Sequence, residues 1–114
     1  MTELVTTGTW RVHPEREADF VQAWAAFVQW ASGMPGAGTL RLGRDVGDPS
    51  RFVSFGVWQD ADSARAWKSA PQFRERMARV LRFVDEFQAA ELDVVATAAD
   101  GSSAVTLPAR SGVE

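Results

Sequence analysis

Apolar residues recur along this chain with two periods, and the switches between them mark out its elements. Residues 4–12 alternate: Leu4, Thr6, Gly8, Trp10 and Val12 share one face of a predicted strand. His13-Pro14 ends it, Pro14 suits the first turn of a helix, and Glu15 and Glu17 favour that helix's positive end. From 14 to 32 the period is helical. Phe20, Val21, Ala23, Trp24, Phe27, Val28 and Ala31 fall on one half of the wheel with Trp30 at its edge, while Arg16, Asp19, Gln22 and Gln29 lie elsewhere. Gly33 is a natural stop and Pro35 cannot continue the helix.

Alternation then returns. In 37–46, Leu40 and Leu42 face opposite to Thr39, Arg41 and Gly43; Gly47-Asp48-Pro49-Ser50 is a turn cluster. In 51–58, Val53, Phe55 and Val57 oppose Phe52, Ser54, Gly56 and Trp58, so both faces are largely apolar and burial on both sides is expected. The short connection predicts an antiparallel hairpin. Asp60 or Asp62 caps a second helical region, which Pro71 interrupts by disfavouring helical geometry at Ala70. A new start there puts Pro71 in the first turn; Ser69-Ala70-Pro71-Gln72 also reads as a capping box, with the cap one residue earlier. Phe73, Met77, Val80, Leu81, Val84 and Phe87 share the next helical face, and a last strand is predicted over 91–97.

Strand–helix–strand–strand–helix–strand is the split βαβ, ferredoxin-like α+β arrangement, a four-stranded antiparallel sheet with two helices on one face. Two helices cover one face only, and the apolar residues are too many for the other to stand open in water. A homodimer packed sheet against sheet is therefore expected. The simplest division is a domain over 3–97 and a flexible tail over 98–114, where Gly, Ser, Ala and Thr dominate without an apolar face.

Composition narrows the chemistry. The 114 residues suit one domain. A net charge of −3 offers no field for phosphates, so nucleic acid is not an expected partner. Without Cys or Tyr there is no thiolate and no phenolic acid or base, and the single histidine, His13, leaves no multi-histidine metal site in one chain. No apolar stretch approaches the ~20 residues of a membrane span, and the first residues lack the pattern of a signal peptide. A cytoplasmic protein is expected.

The run Phe52-Val53-Ser54-Phe55-Gly56-Val57-Trp58, followed by Gln59-Asp60-Ala61-Asp62-Ser63 and then Ala66-Trp67-Lys68-Ser69-Ala70-Pro71-Gln72-Phe73, resembles the antibiotic biosynthesis monooxygenase family. A strand closing on Trp, an acidic–Ser turn and a helix breaking before Phe carry the likeness, which extends over about 4–97. It implies a dimeric α+β barrel with a hydrophobic ligand between helices and sheet. Some members oxidise polycyclic phenols or anthrones with O2 and no metal or flavin, and a related branch degrades haem. Carried over by position, Trp58 matches the strand-ending Trp, and Ser54 stands where the polyketide-oxidising branch has an amide; Ala64 and Gly43 replace a Tyr and a His. Trp67 matches the helix Trp of the haem-degrading branch, but Gly8 and Met77 replace its Asn and haem-ligating His, which disfavours haem chemistry.

The resemblance thus implies Ser54 and Trp58 as catalytic candidates and Trp24, Phe27, Trp67, Phe73 and Met77 as substrate-binding ones, with no cofactor and no metal. The expected partners are a second copy of the chain, a small hydrophobic aromatic substrate and O2. Each of these residues also has a plainer reading as core, and Ser54 as a hydroxyl bonded to backbone. No residue stands out as the base; His13 reads as a helix start, and Arg74, Arg76, Arg79 and Arg82 as a solvated face. The alternative is a non-catalytic ligand-binding or dimerisation module of the same fold. An enclosed pocket with Ser54 and Trp67 at its wall discriminates between the two: a filled core at that place favours a binding-free module.

Overall fold

The structure, a computed structural model, describes residues 3–98 and 105–106. Strand β1 (Leu4–Arg11) leads through a 3₁₀ turn (Pro14–Arg16) into helix α1 (Glu17–Ala31). Strands β2 (Ala37–Asp45) and β3 (Asp48–Trp58) form the hairpin; helices α2 (Ala61–Ser69) and α3 (Pro71–Leu81) follow, then strand β4 (Glu86–Asp93). The sheet order is β2-β3-β1-β4 and every pairing is antiparallel, which is the ferredoxin-like topology. A short pair, β5 (Thr97–Ala98) with β6 (Val105–Thr106), joins the last residue of the expected domain to the segment expected to be a tail, the rest of which lies outside the described residues.

Local chemistry explains most boundaries. The 3₁₀ turn begins with Pro14 after His13, whose Nδ1 accepts the Glu15 N–H. Asp60, not Asp62, caps α2: its Oδ1 accepts the Ser63 N–H at 2.8 Å, and that bond holds the carboxyl below its ordinary range. Pro71 separates α2 from α3 as expected, but α3 starts on Ala70 with no side-chain cap, so the capping box does not form. Gly36, at φ 85°, turns the chain between α1 and β2 in a conformation open to glycine.

Several expectations need correction. The hairpin turn is Val46-Gly47, and β3 already begins at Asp48. Pro49 is accommodated beside the register irregularity at Arg44/Asp45, a place where a missing N–H is tolerated. The second helical region ends at Leu81, not near Phe87, and the last strand is Glu86–Asp93, not 91–97. The helical period of Val84 and Phe87, and the helix-favouring Gln88-Ala89-Ala90-Glu91, are overridden by pairing with β1, where Phe87 lies opposite Trp10. Finally, β3 is not buried on both sides within one chain. Phe52, Ser54, Gly56 and Trp58 lie buried under the helices, whereas Phe55 is 42% exposed. Val21, expected on the apolar face of α1, is likewise exposed.

The core lies between the helices and the inner sheet face. One aromatic group joins Trp10 to Phe20 at 5.5 Å and Phe20 to Phe52 at 5.1 Å. A second stacks Trp58 on Trp67 at 4.7 Å and sets Trp67 edge-on to Phe73 at 5.0 Å. Burying one such ring removes about 150–250 Å² from water, roughly 4–6 kcal/mol before ordering entropy is subtracted. The outer face carries Val5, Val53, Phe55, Val57 and, at its β4 edge, the half-exposed Leu92. Among the described residues no helix is long and apolar enough to cross a membrane.

Candidate functional site

A cavity of about 260 Å³ lies between the sheet and the helices. Its floor comes from the inner faces of β1 and β3 and includes Thr6, Gly8, Ser54 and Gly56. Trp24, Phe27 and Val28 of α1, Trp67 and Lys68 of α2, and Phe73, Met77 and Leu81 of α3 supply the helix side. Leu40, Phe87 and Ala89 complete it from the flanking strands.

Two floor positions, Gly8 and Gly56, carry no side chain, and their neighbours close in on the backbone there. A Cβ on Gly8 would sit 2.9 Å from Ser54 Oγ, 2.9 Å from Trp10 Nε1 and 3.0 Å from the Phe87 ring. A Cβ on Gly56 would run into Leu40 and come within 3.2 Å of Thr6 Oγ1. Among the rings around the cavity, Trp10 lies 4.2 Å from Phe87 and Phe27 lies 5.8 Å from Trp67, centroid to centroid.

Two hydroxyls stand on this floor, each engaged by an indole. Trp10 Nε1 donates to Ser54 Oγ at 2.9 Å, and Trp58 Nε1 donates to Thr6 Oγ1 at 3.3 Å. Both hydroxyl residues are 8% exposed. An oxygen that accepts an indole N–H keeps its own O–H to donate. Trp67 Nε1 is different. Among the described residues it is buried without a hydrogen-bond partner, and Trp67 as a whole is 7% exposed. Leaving such a group unpaired costs about 1–3 kcal/mol.

Charge is nearly absent from the cavity. Lys68, its one lining residue with an ionisable side chain, is tied to Glu91 at 2.7 Å, and that ammonium holds the Glu91 carboxyl below its ordinary range. His13 does not line the cavity; it stays half-exposed at the 3₁₀ turn. Among the described residues no group of three or more His, Cys, Asp or Glu is placed to hold a metal ion. The arrangement can enclose a flat apolar molecule and offer hydrogen-bond donors to its oxygens.

Ser54, Trp24, Phe27, Trp67, Phe73 and Met77 all face this one cavity. Trp58 does not: fully buried, it lies behind Trp67 and meets the site only through that ring and through Thr6. Sequence reasoning passed over Thr6, Gly8 and Trp10 as site residues. Their signal was the strand alternation that puts them on the face shared with Leu4 and Val12. Phe87 was missed because its strand was placed too late.

The profile of the antibiotic biosynthesis monooxygenase family matches residues 4–79, more than half of the chain. A search of curated proteins found no match. Among solved structures, SnoaB, a cofactor-independent oxygenase from Streptomyces nogalater, is 20% identical with a TM-score of 0.74, over 91% of this chain and 100% of that one. A conserved protein from Methanosarcina mazei Go1 is 15% identical with a TM-score of 0.73, over 81% of this chain and 92% of that one. At these identities the likeness is one of fold.

Proposed function

The chain belongs to the antibiotic biosynthesis monooxygenase family, and from that membership we propose that it is a cofactor-independent monooxygenase acting with O2 on a hydrophobic aromatic substrate of the polyketide, anthrone or quinol type. The observation that carries this reading is the apolar cavity with Ser54 on its floor, its oxygen engaged by Trp10 so that its O–H is left for a ligand oxygen.

The chemistry asks little of the protein. An anthrone bound in the cavity gives up a ring-carbon proton, and its oxygen takes the developing charge. Ser54 donates to that oxygen, and the dry aromatic walls strengthen the bond. The anion passes one electron to O2 and the two radicals join through a new C–O bond; the peroxide takes up a proton, and as the same ring carbon loses its remaining proton the O–O bond breaks, leaving a carbonyl and releasing water. One anthrone and one O2 give one anthraquinone and one water; the substrate is oxidised and O2 reduced. Because Lys68 is held by Glu91 and no other lining side chain ionises, the proton passes to water, and Ser54 favours the transfer by holding the oxyanion that forms. The active form on this reading is a homodimer joined through the outer sheet face, which the domain over 3–97 supplies.

Oxygen uptake with anthrone as the probe tests the proposal. Wild-type protein should consume O2 and form anthraquinone at a rate unchanged by chelator. Ser54→Ala should lower turnover on the order of 10²-fold with little change in anthrone affinity, as expected for a donor aimed at a developing oxyanion. Anthrone binding without O2 uptake above the buffer rate overturns the enzymatic reading and leaves a ligand-binding module of the same fold.

A further inference from the structure

The inner faces of β1 and β3 carry one pattern twice. Thr6-Thr7-Gly8-Thr9-Trp10 and Ser54-Phe55-Gly56-Val57-Trp58 both place a hydroxyl, a glycine and a tryptophan at alternate positions. The strands are antiparallel, in a register that sets Thr6 opposite Gly56 and Gly8 opposite Ser54. A local two-fold axis between those pairs therefore exchanges the two copies. The hydrogen bonds follow it: Trp10 Nε1 donates across to Ser54 Oγ at 2.9 Å, and Trp58 Nε1 donates across to Thr6 Oγ1 at 3.3 Å. The glycines follow it too. Ser54 Oγ lies 2.9 Å from where Gly8 would carry a Cβ, and Thr6 Oγ1 lies 3.2 Å from where Gly56 would. Thr6 thus stands to the cavity as Ser54 does. Both line it, both are 8% exposed, and each oxygen already accepts an indole N–H, which leaves its own O–H to give. As diagonal neighbours on adjacent strands they are about 7–8 Å apart, close enough to serve two reactants held side by side.

The monooxygenase reading uses one of these two hydroxyls. Ser54 holds the oxyanion, but the charge that then moves to O2 has no donor assigned to it. We propose that Thr6 is a catalytic residue and that its O–H marks the dioxygen subsite, donating to the superoxide left by electron transfer and to the peroxide that follows. The inference rests on the monooxygenase reading and adds the place of the second reactant. Neutral O2 is a poor acceptor, so Thr6 contributes little as O2 arrives and much once the electron has crossed. A hydrogen bond of that kind lowers the barrier instead of tightening the ground state. Thr6 keeps its proton throughout: the substrate anion is oxidised, O2 is reduced, the bond formed is C–O, and the proton taken up by the peroxide comes from water.

The two steps can be timed apart with anthrone as the probe. Under argon in D2O, exchange of the anthrone ring-carbon hydrogens reads proton loss alone; in air, O2 uptake reads the whole reaction. Thr6→Val keeps the outline of the side chain and removes the hydroxyl. It should leave exchange within about twofold of wild type and lower O2 uptake on the order of 10²-fold, with kcat and kcat/KM for O2 falling together. Ser54→Ala should slow exchange and uptake alike, and Thr6→Ser should recover most of what Thr6→Val loses. Thr6→Val also leaves the Trp58 N–H buried without its acceptor. The double variant Thr6→Val with Trp58→Phe, which removes both partners of that bond, is therefore measured beside it and should show the same split. Wild-type O2 uptake in either variant, or exchange and uptake falling by one factor, overturns the inference and reduces Thr6 to an anchor for Trp58, with the monooxygenase reading intact. A wild type that takes up no O2 above the buffer rate overturns that reading and the inference together.

Discussion

Gly8→Ala sets two effects of opposite sign against each other, and the structure says which wins. Glycine in a strand interior costs roughly 0.5–1 kcal/mol relative to alanine, so an unobstructed Gly8→Ala would stabilise β1. At this position, however, the new methyl arrives 2.9 Å from both Ser54 Oγ and Trp10 Nε1 and 3.0 Å from Phe87. Overpacking of this kind costs about 1–3 kcal/mol. Parting Trp10 from Ser54 adds about 0.5–1.5 kcal/mol, since that hydrogen bond has no room to re-form around the methyl. The balance is a net loss centred near ~2 kcal/mol, a fall in Tm of roughly 10 °C for a domain of this size. Urea unfolding followed by tryptophan fluorescence measures the first quantity and differential scanning calorimetry the second. The same methyl enters the cavity floor, so stabilisation of the protein by added anthrone should shrink as well. A Gly8→Ala protein as stable as wild type or more so would refute the reasoning, because the β-propensity gain would then have gone unopposed.

Two further outcomes are expected. Asp48 accepts from Arg11 at 2.9 Å and from the side chain and backbone of Ser50, which hold its carboxyl at about 2. Its folded value lies below the unfolded one of about 4, so its contribution is whole above pH ~4 and is lost as the pH falls toward 2. Wild type should therefore lose its advantage over Asp48→Asn between those limits, and a difference in urea midpoint that stays constant from pH 5 to pH 2 would contradict this. Sedimentation of the wild type should give about twice 12.5 kDa, and Phe55→Glu, placing charge in the middle of the outer face, should give monomer; a dimer that tolerates Phe55→Glu would move the interface elsewhere.

How much of this was legible in the chain depended on how far each signal was local. β1 was readable because Leu4, Thr6, Gly8 and Trp10 alternate with half-buried neighbours, and the Pro71 break because proline acts on the residue before it whatever the tertiary context. β4 was not, because Gln88-Ala89-Ala90-Glu91 carries no strand signal of its own; its conformation comes from the open edge of β1, a partner more than seventy residues away in sequence. The site followed the same rule. Its aromatic walls lie on helices: the 3.6-residue period exposes Trp24, Phe27, Phe73 and Met77, and Trp67 could be named through the family likeness. Its floor could not be read this way, since the room left above Gly8 and Gly56 is set by what packs across from them. The misplacing of Trp58 has a similar origin: a strand-ending Trp looks alike in sequence whether it meets the cavity or, as here, the back of Trp67.

The Trp58–Trp67 stack has a spectroscopic consequence. Two indoles with centroids 4.7 Å apart and planes inclined by 23° are close enough for their strong ultraviolet transitions to couple, and a skewed pair of coupled transitions splits into circular-dichroism bands of opposite sign. One member of the pair is the cavity's helix-side wall and the other is anchored to β1 through Thr6. The couplet therefore reads the spacing between α2 and the sheet without any label. It can follow ligand entry, opening of the helix layer or the first step of unfolding in the untouched protein.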